Sequence, residues 1–150
     1  MQPLRVIVWG TGNVGRPAIR AVLSHRQLEL TGVVVANPDK VGKDAGIIAG
    51  VAPCGISATD DWRALLDSGA DVVVYAANAD IRPEEAFADL TACLEAGLNV
   101  VSTAFYAFLD PASTPEQLSQ LVENCCKKSG ASLLVSGIDP GWMMDMLPVV

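Results

Sequence analysis

Six residues near the start of the chain, Gly10-Thr11-Gly12-Asn13-Val14-Gly15, limit the fold more than any other feature of this sequence. They follow the apolar, β-branched run LRVIVW of Leu4–Trp9, which reads as a buried strand. After them Val14, Ala18, Ala21 and Val22 recur at helical spacing, giving a helix to about Ser24. Pro17 lies near the start of that helix, where a missing N–H costs little. A G-x-G-x-x-G pattern alone is weak, but between a strand and a helix it has a mechanical meaning. Gly10 allows the tight turn, Gly12 lets backbone approach an anion, and Gly15 lets the helix pack closely on the strand. Amides of Asn13 and Val14 would face that anion at the positive end of the helix dipole.

The same alternation runs along the whole chain. Residues 28–36 read as a second strand, closed by Asn37-Pro38-Asp39. A glycine-rich stretch follows, with a short helix expected over 44–49 and an irregular loop after it. Asp60 or Thr59 is expected to cap a brief helix carrying Trp62, Leu65 and Leu66, stopped by Gly69. Residues 71–77 (DVVVYAA) read as a buried strand. Pro83 with Glu84 and Glu85 marks a helix start, with Phe87, Leu90 and Leu94 as its buried stripe and Gly97 as its stop. Residues 98–103 form the next strand. Thr114-Pro115-Glu116-Gln117 reads as an N-cap, a first-turn proline and the Gln of a capping box. Leu118, Leu121, Val122 and Cys125 give that helix its apolar face, and residues 131–136 are the last strand. Apolar strands alternating with amphipathic helices predict an α/β fold, a doubly wound parallel sheet of Rossmann type covered on both faces.

Composition fits this class. The chain has 150 residues, 51% of them hydrophobic and 18% charged, enough for a buried core and unlike a disordered chain. Ten basic against seventeen acidic residues give a net charge of −7, so no nucleic-acid partner and no membrane-surface partner is expected. No apolar run reaches the roughly 18 residues of a membrane helix, and the first residues lack a signal peptide's features, so a cytoplasmic location is expected. Cys54, Cys93, Cys125 and Cys126 lack C-x-x-C spacing, and the lone His25 cannot complete a zinc set; no metal is expected. His25 reads as a solvated cation ending the first helix.

Ligands of open parallel sheets bind beyond the carboxyl ends of the strands. The glycine turn is one such place, and it predicts a dinucleotide cofactor held by Gly10, Thr11, Gly12, Asn13, Val14 and Gly15. NAD sites usually carry an acid about 20 residues further on. Here that region is Ala36-Asn37, with Lys40 and Lys43 close enough to meet a 2′-phosphate, so NADP, or tolerance of both NADP and NAD, is expected. The bland reading of Lys40 is a solvated loop charge. Ala76, Ala77 and Ala79 are small enough for a cofactor to lie against backbone. Asn78 is either a carboxamide or ribose ligand or a turn former, and Thr103 ends the strand before the next loop. Phe105, Tyr106 and Phe108 form an aromatic pocket wall or anchor a loop, with Tyr106 the candidate proton donor. Asp139 is either a pocket residue or part of an Asp-Pro-Gly turn. Asp80, Glu84 and Glu85 read as helix-entry charges. Hydride transfer needs few protein groups, so the lack of a catalytic triad or paired carboxylates fits that class.

The segments VIVWGTGNVGRPAIRAV, VVVANPDKVGKDAG, DVVVYAAN, GLNVVST and SGIDPGWMMDMLP together resemble the dihydrodipicolinate reductase-like family, in its diaminopentanoate dehydrogenase and native amine dehydrogenase branch. The resemblance implies an N-terminal Rossmann domain, here residues 1–140, with residues 141–150 starting a helix toward a substrate and dimerisation domain. It implies NAD(P)-dependent hydride transfer involving a small-molecule carbonyl, imine or amine, in a homodimer. The amine dehydrogenase branch carries a glutamate in the loop after the strand matching residues 100–103. Here that loop reads Thr103-Ala104-Phe105-Tyr106, so no catalytic glutamate is carried over. The rival expectations are a non-catalytic NAD(P)-binding sensor and an assembly module using the apolar stretch 143–150.

Overall fold

A computed structural model describes residues 2–110 and 112–137. They fall into two compact units, one within Met1–Ala77 and one within Asn78–Val150. The first unit holds strands β1 (Leu4–Trp9), β2 (Leu28–Val34), β3 (Ala58–Thr59) and β4 (Val72–Tyr75). Its helices are α1 (Gly15–Ser24), α2 (Ala45–Ala49) and α3 (Trp62–Leu66). All pairings are parallel, in the order β3-β2-β1-β4, so chain order reverses at β1. That reversal leaves a crevice beyond the ends of β1 and β4, the usual ligand position in such sheets.

Period-two alternation sends successive β1 side chains to opposite faces. Val6 and Val8 pack with Ile19 and Val22 of α1 and with Ala45, Ile48 and Ala49 of α2. On the opposite face, Trp9 meets Trp62 of α3 at 5.2 Å between ring centroids and Tyr75 of β4 at 5.4 Å. Gly32 makes room there for Leu65: a methyl at residue 32 would sit 2.9 Å from that side chain. Helices thus cover both faces of this unit, as a doubly wound sheet requires.

Side-chain caps join α1, α2 and the loop after α2. The Asp44 carboxylate accepts N–H bonds from Gly46, Ile47, Cys54 and Gly55. Burial pushes its pKa up, but these four backbone donors outweigh that and hold it below its ordinary value. At the other end of α2, Arg16 Nε donates to the Ile48 carbonyl and Arg20 to the Ala49 carbonyl, both at 2.8 Å. Cations there satisfy carbonyls the helix leaves unpaired.

The second unit holds α4 (Pro83–Glu95), β5 (Asn99–Ser102), α5 (Glu116–Ser129) and β6 (Leu133–Val135). β5 and β6 are parallel, with Val101 opposite Leu134. Helix α4 packs against α5 and β5, burying Ala86, Leu90, Cys93 and Leu94 with Val100, Val122 and Cys125. Asp89, also on α4, is buried and pairs with Arg82 at 2.6 Å. Burial, then the Asp89 carboxylate, push the Cys93 thiol up to about 12, which keeps it protonated and unreactive.

Several local expectations change. The buried face of α1 is Gly15, Ile19 and Val22, whereas Val14 and Ala21 are exposed. The close packing of Gly15 on the turn sets that rotation. Asp61, rather than Asp60 or Thr59, caps α3, through the Ala64 N–H. The Thr114 hydroxyl does not cap α5; it donates to the Ala107 carbonyl at 2.5 Å, and Pro115 is the N-cap. The expected loop before α3 contains β3, whose two residues are too few to show a period. Val101 and Leu134, opposite each other on β5 and β6, are 37% and 59% exposed.

Candidate functional site

Strand β1 delivers the chain to the glycine turn between its two neighbours. Gly10 N–H donates to Val34 of β2, and Ala76, just past β4, donates to Trp9. Gly10 has φ +103°, and a Cβ there would lie 2.9 Å from the backbone of Ala76 and Ala77. A Cβ on Gly15 would run into the Gly10 carbonyl. At Gly12 a Cβ would meet nothing within 4 Å, so this backbone borders open space. The three glycines therefore have three physical reasons: a left-handed turn, helix-to-turn contact, and room for a ligand. Val14 is the N-cap of α1 without a side-chain cap. Among the described residues, the amides of Gly12, Asn13 and Val14 donate to no protein acceptor. Exposed amides at a helix N-terminus, with space before them, fit the diphosphate of a dinucleotide.

Lys40 comes to this turn from 29 residues away. Its ammonium donates to the carbonyl and the hydroxyl of Thr11, at 3.0 and 3.1 Å. Lys40 closes a 3-10 turn, Pro38–Lys40, that begins at Asn37, whose side chain accepts the Asp39 N–H. Lys43 is exposed, and Ala36 and Asn37 stand where an acid would end β2. The first unit thus brings together residues 10–15, Lys40, Ala76 and Ala77.

Asn78 and Thr103 belong to the second unit. Asn78 accepts the Asp80 N–H at 2.8 Å, forming the turn that leads into α4. Thr103 directly follows β5. That unit has its own cavity of about 700 Å³. Phe105, Tyr106 and Phe108 all line it. Phe108 stacks on Phe87 of α4, with 6.3 Å between centroids and 10° between ring planes. Leu118 of α5 adds to the apolar lining, and Asp80 and Glu84 are its charged members.

By sequence pattern alone Phe87 belongs to a buried stripe, Leu118 to a core face, and Asp80 and Glu84 to the charges of a helix entry. Positions 84 and 87 share one face of the first turn of α4, and that spacing was the available signal for them, whereas Asp80 lies in the turn before the helix, which no helical period reaches. Tyr106 is half exposed within the cavity lining. Asp139 and the stretch 141–150 lie outside the described residues. Among the described residues no cluster could hold a metal ion, and no helix is long and apolar enough to cross a membrane.

Residues 4–136, which include the turn and the cavity, match the family described as dihydrodipicolinate reductase, N-terminus. The chain belongs to that family. An amine dehydrogenase from Mycobacterium smegmatis superposes with a TM-score of 0.78 at 28% identity, over 89% of this chain and 39% of that one. In sequence, an amine dehydrogenase of Streptomyces virginiae is 46% identical over 148 residues, covering 98% of this chain and 41% of the relative. A 2,4-diaminopentanoate dehydrogenase of Acetoanaerobium sticklandii is 27% identical, covering 100% of this chain and 42% of the relative. The chain thus spans about two fifths of the length of these curated relatives. The family resemblance read from the glycine turn and the NPDKVGKDAG segment is confirmed, and with it the Rossmann-type fold.

Proposed function

We propose that this chain is the cofactor-binding part of an NAD(P)-dependent oxidoreductase acting on a carbonyl, imine or amine. One observation carries the reading: the Gly12 backbone borders open space while Gly10 and Gly15 are packed shut against their neighbours. Beside that opening the amides of Gly12, Asn13 and Val14 have no protein acceptor among the described residues, an arrangement suited to an anion. When bound, the nicotinamide ring supplies or accepts the hydride; the protein binds, orients and moves protons. Residues 10–15 hold the diphosphate, and Ala76 and Ala77 give it a flat wall. No carboxylate ends β2 to repel a 2′-phosphate, so NADP is accepted, with NAD tolerated.

The cavity of the second unit receives the apolar body of the substrate, and Tyr106 is its proton donor. Family relatives named for amine substrates support an amine or its carbonyl counterpart. Asp80 and Glu84, with no basic side chain among the described lining residues, favour a cationic over a dicarboxylate substrate. The whole protein works as a homodimer through a domain beyond this chain.

Titrating NADPH and NADH against the whole protein by nicotinamide fluorescence tests the reading. Saturable binding in wild type and its loss in Gly12→Asp is expected. Equal absence of binding in both proteins overturns it. Binding without turnover of any apolar amine or ketone would instead favour a nucleotide sensor.

A further inference from the structure

We infer that Lys40 is a positioning residue that aims the Gly12 amide, acting through the Thr11 peptide rather than by touching a ribose phosphate. The inference rests on the cofactor reading above and concerns how that site is held in shape. The Lys40 side chain crosses from the 3-10 turn after β2 to the glycine turn after β1. There it donates to both oxygens that Thr11 offers, carbonyl and hydroxyl. In a trans peptide plane the carbonyl and the next N–H point in opposite directions. A Thr11 carbonyl held toward Lys40 therefore turns the Gly12 N–H away from it. Gly12 is where the backbone borders empty space, and its N–H has no protein acceptor among the described residues. One clamp thus sets the direction of the amide that the open turn presents.

The clamp also explains a glycine-rich loop that needs no further side-chain support. Gly10 and Gly12 leave the Thr11 peptide few steric restraints, so without Lys40 the plane can rotate. Thr11 is 92% buried and so shielded from water that could replace the ammonium (its exposure is 8%). Lys40 keeps its charge within hydrogen-bond reach of the turn, where the field favours an anion of any kind. With two of its three N–H groups directed to Thr11, the ammonium is committed to the turn. Lys40 then contributes to NADPH and NADH binding alike.

The test compares ligands that carry or lack each phosphate. In Lys40→Met, binding of ADP, NADH and NADPH weakens by a common factor of about ten, roughly the loss of one or two charge-assisted hydrogen bonds. Adenosine 2′-monophosphate, which has a ribose phosphate and no diphosphate, binds as in wild type. The amide resonance of Gly12 in an 15N spectrum shifts in the variant before any ligand is added. Thr11→Val, which keeps the carbonyl and removes the hydroxyl, gives a smaller common loss and serves if Lys40→Met does not fold. A loss confined to NADPH and adenosine 2′-monophosphate overturns the inference, as does unchanged binding of all four ligands. Wild type that binds no dinucleotide overturns the cofactor reading instead, so the two failures are distinct.

Discussion

A side chain on Gly15 would collide with the carbonyl of Gly10, five residues earlier and across the turn. This contact locks the start of α1 onto the end of β1. Gly12, midway between the two, has nothing within 4 Å of where its side chain would begin. Gly15→Ala should therefore destabilise the protein by about 1–3 kcal/mol, the usual cost of overpacking. Gly12→Ala should leave thermal stability near wild type while weakening NADPH binding at least tenfold. Calorimetric melting and fluorescence titration of both variants check the separation; a Gly12→Ala variant that melts early and binds normally would contradict it.

Asp44 gives a pH signature. Its folded pKa lies below its ordinary value because four backbone N–H groups outweigh the effect of burial. The folded state therefore binds its proton less readily than the unfolded chain. The stability it confers is fully present above the unfolded pKa and is lost as pH falls through the lower folded value. The stability gap between wild type and Asp44→Asn should be constant near neutrality and shrink on acidification. Urea titrations at a series of pH values would show this. A gap that widens in acid would mean that the carboxylate is not the favoured form.

The Arg82–Asp89 pair is asymmetric: side-chain exposure is 37% for Arg82 and 8% for Asp89. Removing the guanidinium takes a charged partner from a buried carboxylate. Arg82→Met should cost about 2 kcal/mol, less than the ~3–5 kcal/mol of a fully buried pair because water reaches the arginine. Asp89→Leu in the same chain should restore part of that loss. Denaturant midpoints of the single and double variants measure it, and a double variant less stable than Arg82→Met would refute the argument.

Tyr106 lines the cavity and is half exposed. The proton-donor role proposed for it predicts that Tyr106→Phe lowers kcat by about 100-fold or more while nicotinamide binding stays unchanged. Steady-state kinetics and cofactor titration on the whole protein separate the two effects. A change in cofactor affinity alone would remove Tyr106 from the proton-transfer role.

Much of the architecture was legible because strand and helix periods differ. LRVIVW gave β1 to the residue, and Pro83 and Gly97 marked the start and the end of α4. Caps were less legible, since several residues near a helix start carry the right oxygen. Asp60, Asp61 and Thr59 all qualify on paper, and only the local backbone path gives the task to Asp61. Thr114 looked like a cap for α5, but its hydroxyl lies against the Ala107 carbonyl and holds the aromatic loop instead. The buried Asp89 was unreadable, because its partner, seven residues earlier, lies before the helix begins.

The sequence by itself determined the order of the elements apart from β3, the family and the glycine turn. These depend on local period, on residues that break it, and on which positions tolerate no side chain. Tertiary structure decided what those residues do. Lys40 is a candidate 2′-phosphate ligand or a loop charge in the sequence and donates to both oxygens of Thr11 in the fold; Phe87 leaves the helix stripe and stacks over Phe108. Both outcomes depend on contacts between residues more than twenty positions apart, which no local pattern encodes.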